Sequence, residues 1–184
     1  MRTAGRTLGM VLLVVVALVG CSGSGSATYV QTGQIEIHLT DAPIDLTNVA
    51  SVIVTIDAVT IYPGVQEVDG SDTRPFVLTT YPETVDLLTL TGGATTLLAE
   101  GEVPAGFYQR IRLSISSAVM QFNDGTEEIL KIESNKVDIP IPFRVEADAV
   151  NTQTLDFDAA ASVKVNETSS DKYILRPVVT PLKI

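Results

Sequence analysis

Gln34-Ile35-Glu36-Ile37-His38-Leu39-Thr40 alternates without a break, with Ile35, Ile37 and Leu39 on one side and Gln34, Glu36, His38 and Thr40 on the other. A repeat of two is the period of a β-strand with one face in a core. Nine residues further on, Val49 to Ile61 holds Val52, Ile53, Val54, Thr55, Ile56 and Val59. That β-branched run has apolar residues on both parities, which predicts a central strand covered on both sides. Working outward, strands are expected at Phe76–Thr80, Phe107–Ser116, Val119–Phe122, Glu127–Glu133, Val137–Val145, Thr152–Phe157, Ser162–Asn166 and Tyr173–Leu182. Asn123-Asp124-Gly125 predicts a hairpin turn, because glycine accepts the positive φ that a tight primed turn requires. Pro140 and Pro142 share the outward parity of their strand, and each removes a ladder donor, so that strand belongs at an edge.

One stretch, Val85 to Leu98, is less strand-like, and a short helical turn is expected near residues 84–98. The predicted fold is therefore all-β, an antiparallel β-sandwich of many short strands separated by Gly, Pro, Asn and Asp turns. In Val103-Pro104-Ala105-Gly106-Phe107-Tyr108, Pro and Gly make a tight turn and an aromatic then anchors the next strand. Alternation with Ile111, Leu113 and Ile115 assigns the inward place to Phe107; Tyr108 takes it only if a bulge resets the parity.

The N-terminus differs from all of this. Arg2 and Arg6 precede an apolar run from Leu8 to Val19, followed by Gly20-Cys21 and Ser22-Gly23-Ser24-Gly25-Ser26. A basic start, a short apolar core and small residues at the exit describe a secretory signal peptide. The run is shorter than the roughly 20 apolar residues that span a bilayer. Leu18-Val19-Gly20-Cys21 resembles the lipobox of bacterial lipoproteins, in which the chain is cut before the cysteine and its sulfur receives a diacylglycerol. Two or more acyl chains anchor a protein stably where one does not. Cys21 is the single cysteine of the chain, so no intramolecular disulfide forms. The expected organisation is a leader at 1–20, a lipidated Cys21 with a Ser/Gly tether over 21–33, and one domain over 34–184. Ser22, rather than Asp, after the cysteine points to an outer membrane in a host that has one.

The chain carries 12 Lys+Arg against 22 Asp+Glu, a net −10. Both leader charges are Arg, so removal of the leader leaves 10 against 22, or −12. Such acidity argues against nucleic acid or anionic lipid as the principal partner and is compatible with cation binding or a basic partner; the expected partners are the membrane, reached through the lipid on Cys21, and an envelope or extracellular protein.

Catalytic side chains are sparse. His38 is the single histidine and lies on a polar strand face, which argues against a zinc site or a Ser–His–Asp triad. Asp41 falls where a strand ends, and Asp156 and Asp158, two apart, share a strand face. Converging carboxylates of this kind hold a hard cation such as Ca2+; Asp41 equally serves to cap its own turn. A carboxylate-based hydrolase would use the same three residues. The absence of Trp and an aromatic content of 5% count against a sugar-processing site. An internal Lys–Asn isopeptide, as in some adhesin sandwiches, would draw on Lys131, Lys164 and Asn166, whose parity points outward. The reading is thus a non-enzymatic binding or structural module, with a Ca2+-stabilised adhesin-like domain and a hydrolase as alternatives.

Leu39-Thr40-Asp41-Ala42-Pro43, Asp86-Leu87-Leu88-Thr89-Leu90, Pro104 to Leu113, Leu155-Asp156-Phe157-Asp158-Ala159 and Tyr173 to Val178 occur in that order. Together they resemble the prokaryotic lipoprotein family defined by domain of unknown function 4382, from about Gly33 to Leu182. The Pro-Ala-Gly-x-Tyr element is also similar to prealbumin-like sandwiches such as carboxypeptidase regulatory domains. The resemblance implies a secreted, anchored β-sandwich and carries no established activity, so it assigns no functional residue.

Overall fold

Two sheets face each other across one apolar core in the computed structural model, which describes residues 30–41, 48–64, 74–79, 81–165 and 172–182. The leader, Cys21, the tether up to residue 29, Ala42, Pro43 and Asn166 lie outside the described residues. The first sheet has the order β13-β10-β1-β5, from β1 (Thr32–Thr40), β5 (Thr96–Pro104), β10 (Val150–Phe157) and β13 (Val179–Pro181). The second is built on β2 (Val49–Pro63) and β6 (Gly106–Phe122). Along one side of β2 run β3 (Phe76–Thr79) and β4 (Glu83–Asp86), and along the far side of β6 run β9 (Lys136–Val145) and β7 (Glu127–Ile129). A small third sheet joins β11 (Val163–Val165), β12 (Tyr173–Leu175) and β8 (Lys131–Ile132). The chain is an all-β sandwich, mostly antiparallel, with β1–β10 and β12–β8 paired in parallel.

The opening heptad behaves as its alternation demands: Ile35, Ile37 and Leu39 are completely buried. Among the described residues β9 is an edge strand, paired with β6 alone, with Ile139, Ile141, Phe143 and Val145 inward and both prolines exposed. Gly125 takes φ +84° in the β6–β7 turn, as expected.

Where alternation fails, bulges are the reason. β2 is central in its sheet, but it is not covered equally on both faces. Val52, Val54 and Ile56 point inward, Asp57 is an extra residue opposite β6, and Val59 and Ile61 then resume the inward face. This shift of parity within one strand produced the two-faced pattern. β6 carries the matching insertion at Ser116, whose Oγ donates to Asp57 Oδ1 at 2.7 Å, so the two bulges are tied together. Phe107–Ser116 and Val119–Phe122 are therefore one 17-residue strand. Closer to its start, another shift at Tyr108–Arg110 turns Tyr108, and not Phe107, into the core.

Other boundaries move for local reasons. β5 was not anticipated, because only Leu98, Ala99 and Val103 of its residues turn inward while Glu100 and Glu102 face water. Leu130 plunges into the core and breaks the expected Glu127–Glu133 strand into β7 and β8. A 3-10 segment, Leu87–Gly93, provides the expected helical turn. A second short helix, α1 (Ala159–Ser162), lies between β10 and β11, where strand had been expected from Ser162 onward. The last predicted strand is interrupted after Leu175, leaving β12 and β13.

Candidate binding face

The three aspartates of the cation reading lie around the C-terminal ends of β1 and β10. In the parallel register Asp156 stands beside Thr40. Asp41 is 3% exposed, and its Oδ1 accepts the Ala159 N–H at 3.0 Å. Asp158 is the N-cap of α1, accepting the Ala161 N–H at 2.7 Å. Two carboxylates thus satisfy N–H groups that the start of a helix leaves without intrahelical partners. Ser162, fully buried, closes the joint: its Oγ donates to the Asp158 carbonyl and accepts the Val178 N–H at 2.8 Å. Among the described residues no group of three or more His, Cys, Asp and Glu is placed to hold a metal ion. The geometry of Asp41 and Asp158 is that of a structural joint.

Other quoted motifs are joints as well. Asp86 caps the 3-10 segment through the Leu88 N–H and also accepts the Val52 N–H of the adjacent strand, at 3.2 and 3.1 Å. Thr40 Oγ1 meets the carbonyls of Leu90 and Ala94. Tyr108 stacks on Phe143, with centroids 5.4 Å apart, and meets the edge of Phe76 at 6.2 Å. Its hydroxyl donates to the Pro104 carbonyl at 2.8 Å, and burial pushes its pKa up to about 12. His38 is half-buried with Nε2 3.3 Å from Glu36 Oε2. Lys131 and Lys164 are exposed, as their parity suggested.

A different cluster stands on the outer face of the six-stranded sheet. β6 projects Arg110 and Arg112 outward, because Ile111 and Leu113 fill the core side. Arg112 grips Asp138 of β9 with both Nε and Nη2 at 2.8 Å, and Arg110 approaches the same carboxylate at 3.6 Å. The guanidinium carbon of Arg110 lies 3.8 Å from the centroid of Tyr62, and that of Arg112 lies 5.1 Å away. Stacking and forked hydrogen bonding fix both guanidinium planes, a rigidity that lysines would not give. Donation from Arg112 holds the Asp138 carboxyl below the usual carboxylate range, and the Arg110 charge adds to this. Lys136 and Arg144 extend the basic face along β9. The sequence reading missed the cluster, because its members come from three strands; the near-adjacent pair Arg110 and Arg112 was the available signal.

The family model described as domain of unknown function (DUF4382) matches residues 32–177, from the first residue of β1 to just beyond β12. The chain belongs to this family. The DUF4382 match covers the second sheet, all of the first sheet but β13, the Asp41–Asp158 joint and the Arg110–Arg112 face. No curated protein and no solved structure matches this DUF4382 chain.

Proposed function

We propose that the mature chain is a non-enzymatic binding and display module, held to a prokaryotic envelope membrane by a lipid on Cys21. One observation carries the binding half of this reading. The inward-facing or capping polar groups, Asp41, Asp86, Asp158 and Ser162, are engaged with backbone groups, while Arg110, Arg112, Tyr62 and Asp138 form an ordered cluster on an accessible sheet face. Such a face suits recognition of a partner by charge and shape. The anchoring half rests on the leader and lipobox pattern ending at Cys21. Among the described residues no helix is long and apolar enough to cross a membrane. The turn at Pro104–Tyr108, with its hydroxyl-to-carbonyl bond, supports kinship with prealbumin-like sandwiches.

The test is fractionation of cells producing the full chain or Cys21→Ser, with and without a globomycin-type inhibitor of processing. The native chain is expected in the membrane fraction, and the inhibitor is expected to cause accumulation of the unprocessed precursor. A Cys21→Ser chain that is correctly cleaved and still fully membrane-bound would refute the anchor. Affinity capture with the tethered domain in its native envelope then tests the Arg face: loss of the captured partner with Arg110→Ala supports its role.

A further inference from the structure

Towards one end the two outer faces of the sandwich differ in charge: the four-stranded face carries carboxylates, and the six-stranded face carries four basic residues among two paired carboxylates, with Asp57 and Glu127 further along it. On the four-stranded sheet, Glu36 of β1 stands directly across from Glu100 of β5, and Glu102 follows on the same side of its strand. Directly opposed like charges destabilise a sheet. Glu100, Glu102 and Asp148 border one shallow depression. On the far side of the molecule, Arg110, Arg112, Lys136 and Arg144 face outward, accompanied by Asp138 and Glu146. Four of the ten basic residues that follow the leader thus share one face of an acidic chain.

Both charged faces lie towards the same end of the sandwich. β5 leaves the first sheet and β6 enters the second through the corner at Pro104–Gly106. Glu100 and Glu102 stand just before this corner, and Arg110 and Arg112 follow it within the first half of β6. At about 3.3 Å per strand residue, the two pairs fall within roughly 20 Å of the corner. The first strand, β1, begins there too, with Thr32 paired to Pro104.

We infer that copies of this chain associate side by side, with the Arg110–Arg112 face of one docked on the Glu100–Glu102 face of the next. Each face complements the other and not itself, so the contact is head to tail. Every added copy leaves one face of each sign open, and the association extends into rows instead of closing as a two-fold dimer. The net charge opposes the encounter at long range, and salt screens the contact over about 8 Å at physiological ionic strength. Confinement on one surface raises the effective concentration and favours the rows. The orientation relative to a membrane rests on the Cys21 reading; the complementarity of the faces does not.

Cross-linking of the full chain in its envelope tests this. Val150 is 58% exposed beside the acidic depression, and Pro142 is exposed on the basic side of β9. A chain carrying both Val150→Cys and Pro142→Cys, treated with mild oxidant, is expected to give a reducible ladder of dimers, trimers and longer species. Neither single variant should extend beyond a dimer, because a Cys21 sulfur held in a thioether to lipid forms no disulfide. Arg110→Glu with Arg112→Glu should lower the ladder at least tenfold, and adding Glu100→Arg with Glu102→Arg should restore it, which a folding defect would not do. If the first pair fails to accumulate, Glu100→Arg with Glu102→Arg alone should abolish the ladder. No ladder from a chain whose new cysteines both accept maleimide would overturn the inference, as would a ladder indifferent to charge reversal. Fractionation before the gel separates the two readings. A soluble ladder refutes the tether and keeps the rows; membrane-bound protein without a ladder refutes the rows and keeps the tether.

Discussion

Replacing Tyr108 by Phe removes one oxygen from the corner where the chain passes between sheets. The ring contacts with Phe143 and Phe76 are retained, and the lost element is the 2.8 Å bond to the Pro104 carbonyl. A neutral hydrogen bond of this kind contributes about 0.5–1.5 kcal/mol, and a carbonyl left poorly satisfied raises the cost towards 2 kcal/mol. For a domain of this size each kcal/mol lowers Tm by roughly 2–4 °C. The same hydroxyl predicts an alkaline signature. Its pKa rises from 10.0 to about 12 on folding because burial disfavours phenolate. The unfolded chain therefore releases this proton first, and stability falls as pH climbs from 10 towards 12. The loss is on the order of 1 kcal/mol at pH 11 and roughly 3 kcal/mol once both states are ionised. Urea unfolding of the native and Tyr108→Phe chains at pH 7 and pH 11 measures both effects. The native chain should be the more stable at pH 7, with the difference shrinking or reversing at pH 11. A difference independent of pH would refute the assignment of the alkaline loss to this residue.

Three further outcomes are expected. Gly33→Ala places a Cβ 2.1 Å from the Glu146 carbonyl oxygen and 2.9 Å from Val145 Cγ1; overpacking of this kind costs about 1–3 kcal/mol, and an unchanged midpoint in denaturant would show that β1 has room to shift. Asp41→Ala removes the buried acceptor for the Ala159 N–H and should cost about 1–3 kcal/mol, while thermal melts of the native chain in Ca2+ and in chelator should coincide; a Tm several degrees higher in Ca2+ would support a stabilising cation instead. Asp138 has its pKa lowered on folding, so its contribution is present at neutral pH and is lost as pH falls below the usual carboxylate range. Asp138→Asn should therefore flatten the acid side of the stability profile, and an unaltered acid limb measured by circular dichroism would contradict the role of the Arg112 fork.

Much of the architecture was legible because one-sided burial imposes a strict period on strands such as β1 and β9. Ile35, Ile37 and Leu39, and the outward pair Pro140 and Pro142, could be placed from spacing alone. Single-residue insertions at Asp57, Gln109 and Ser116 were not legible, since a bulge is decided by the partner strand and not by the residue inserted. They account for the misplacement of Phe107 and for the division of β6. The aspartates illustrate a different difficulty. Asp41 stood out in the sequence as a carboxylate at a strand end and Asp158 as one sharing a strand face with Asp156, places that suit ligands and caps alike, whereas Asp86 was not singled out. Only the positions of the Leu88, Ala159 and Ala161 N–H groups distinguish the two uses. The Arg110–Tyr62–Arg112–Asp138 cluster was hidden because its parts lie on β2, β6 and β9, far apart along the chain.

The parallel pairing of β1 with β10 sets a timetable. β1 has β5 on one flank and β10 on the other, and its register with β10 joins Gln34 to Val150 and Thr40 to Asp156. Contacts of such long sequence separation form slowly, because the intervening chain must be ordered first. When the chain emerges from its N-terminus, the earliest strand to appear is among the last to be enclosed. Until residues beyond 150 arrive, Ile35, Ile37 and Leu39 have no complete shelter. The net negative charge then has a second use, since mutual repulsion keeps neighbouring unfinished chains from pairing through that exposed strand.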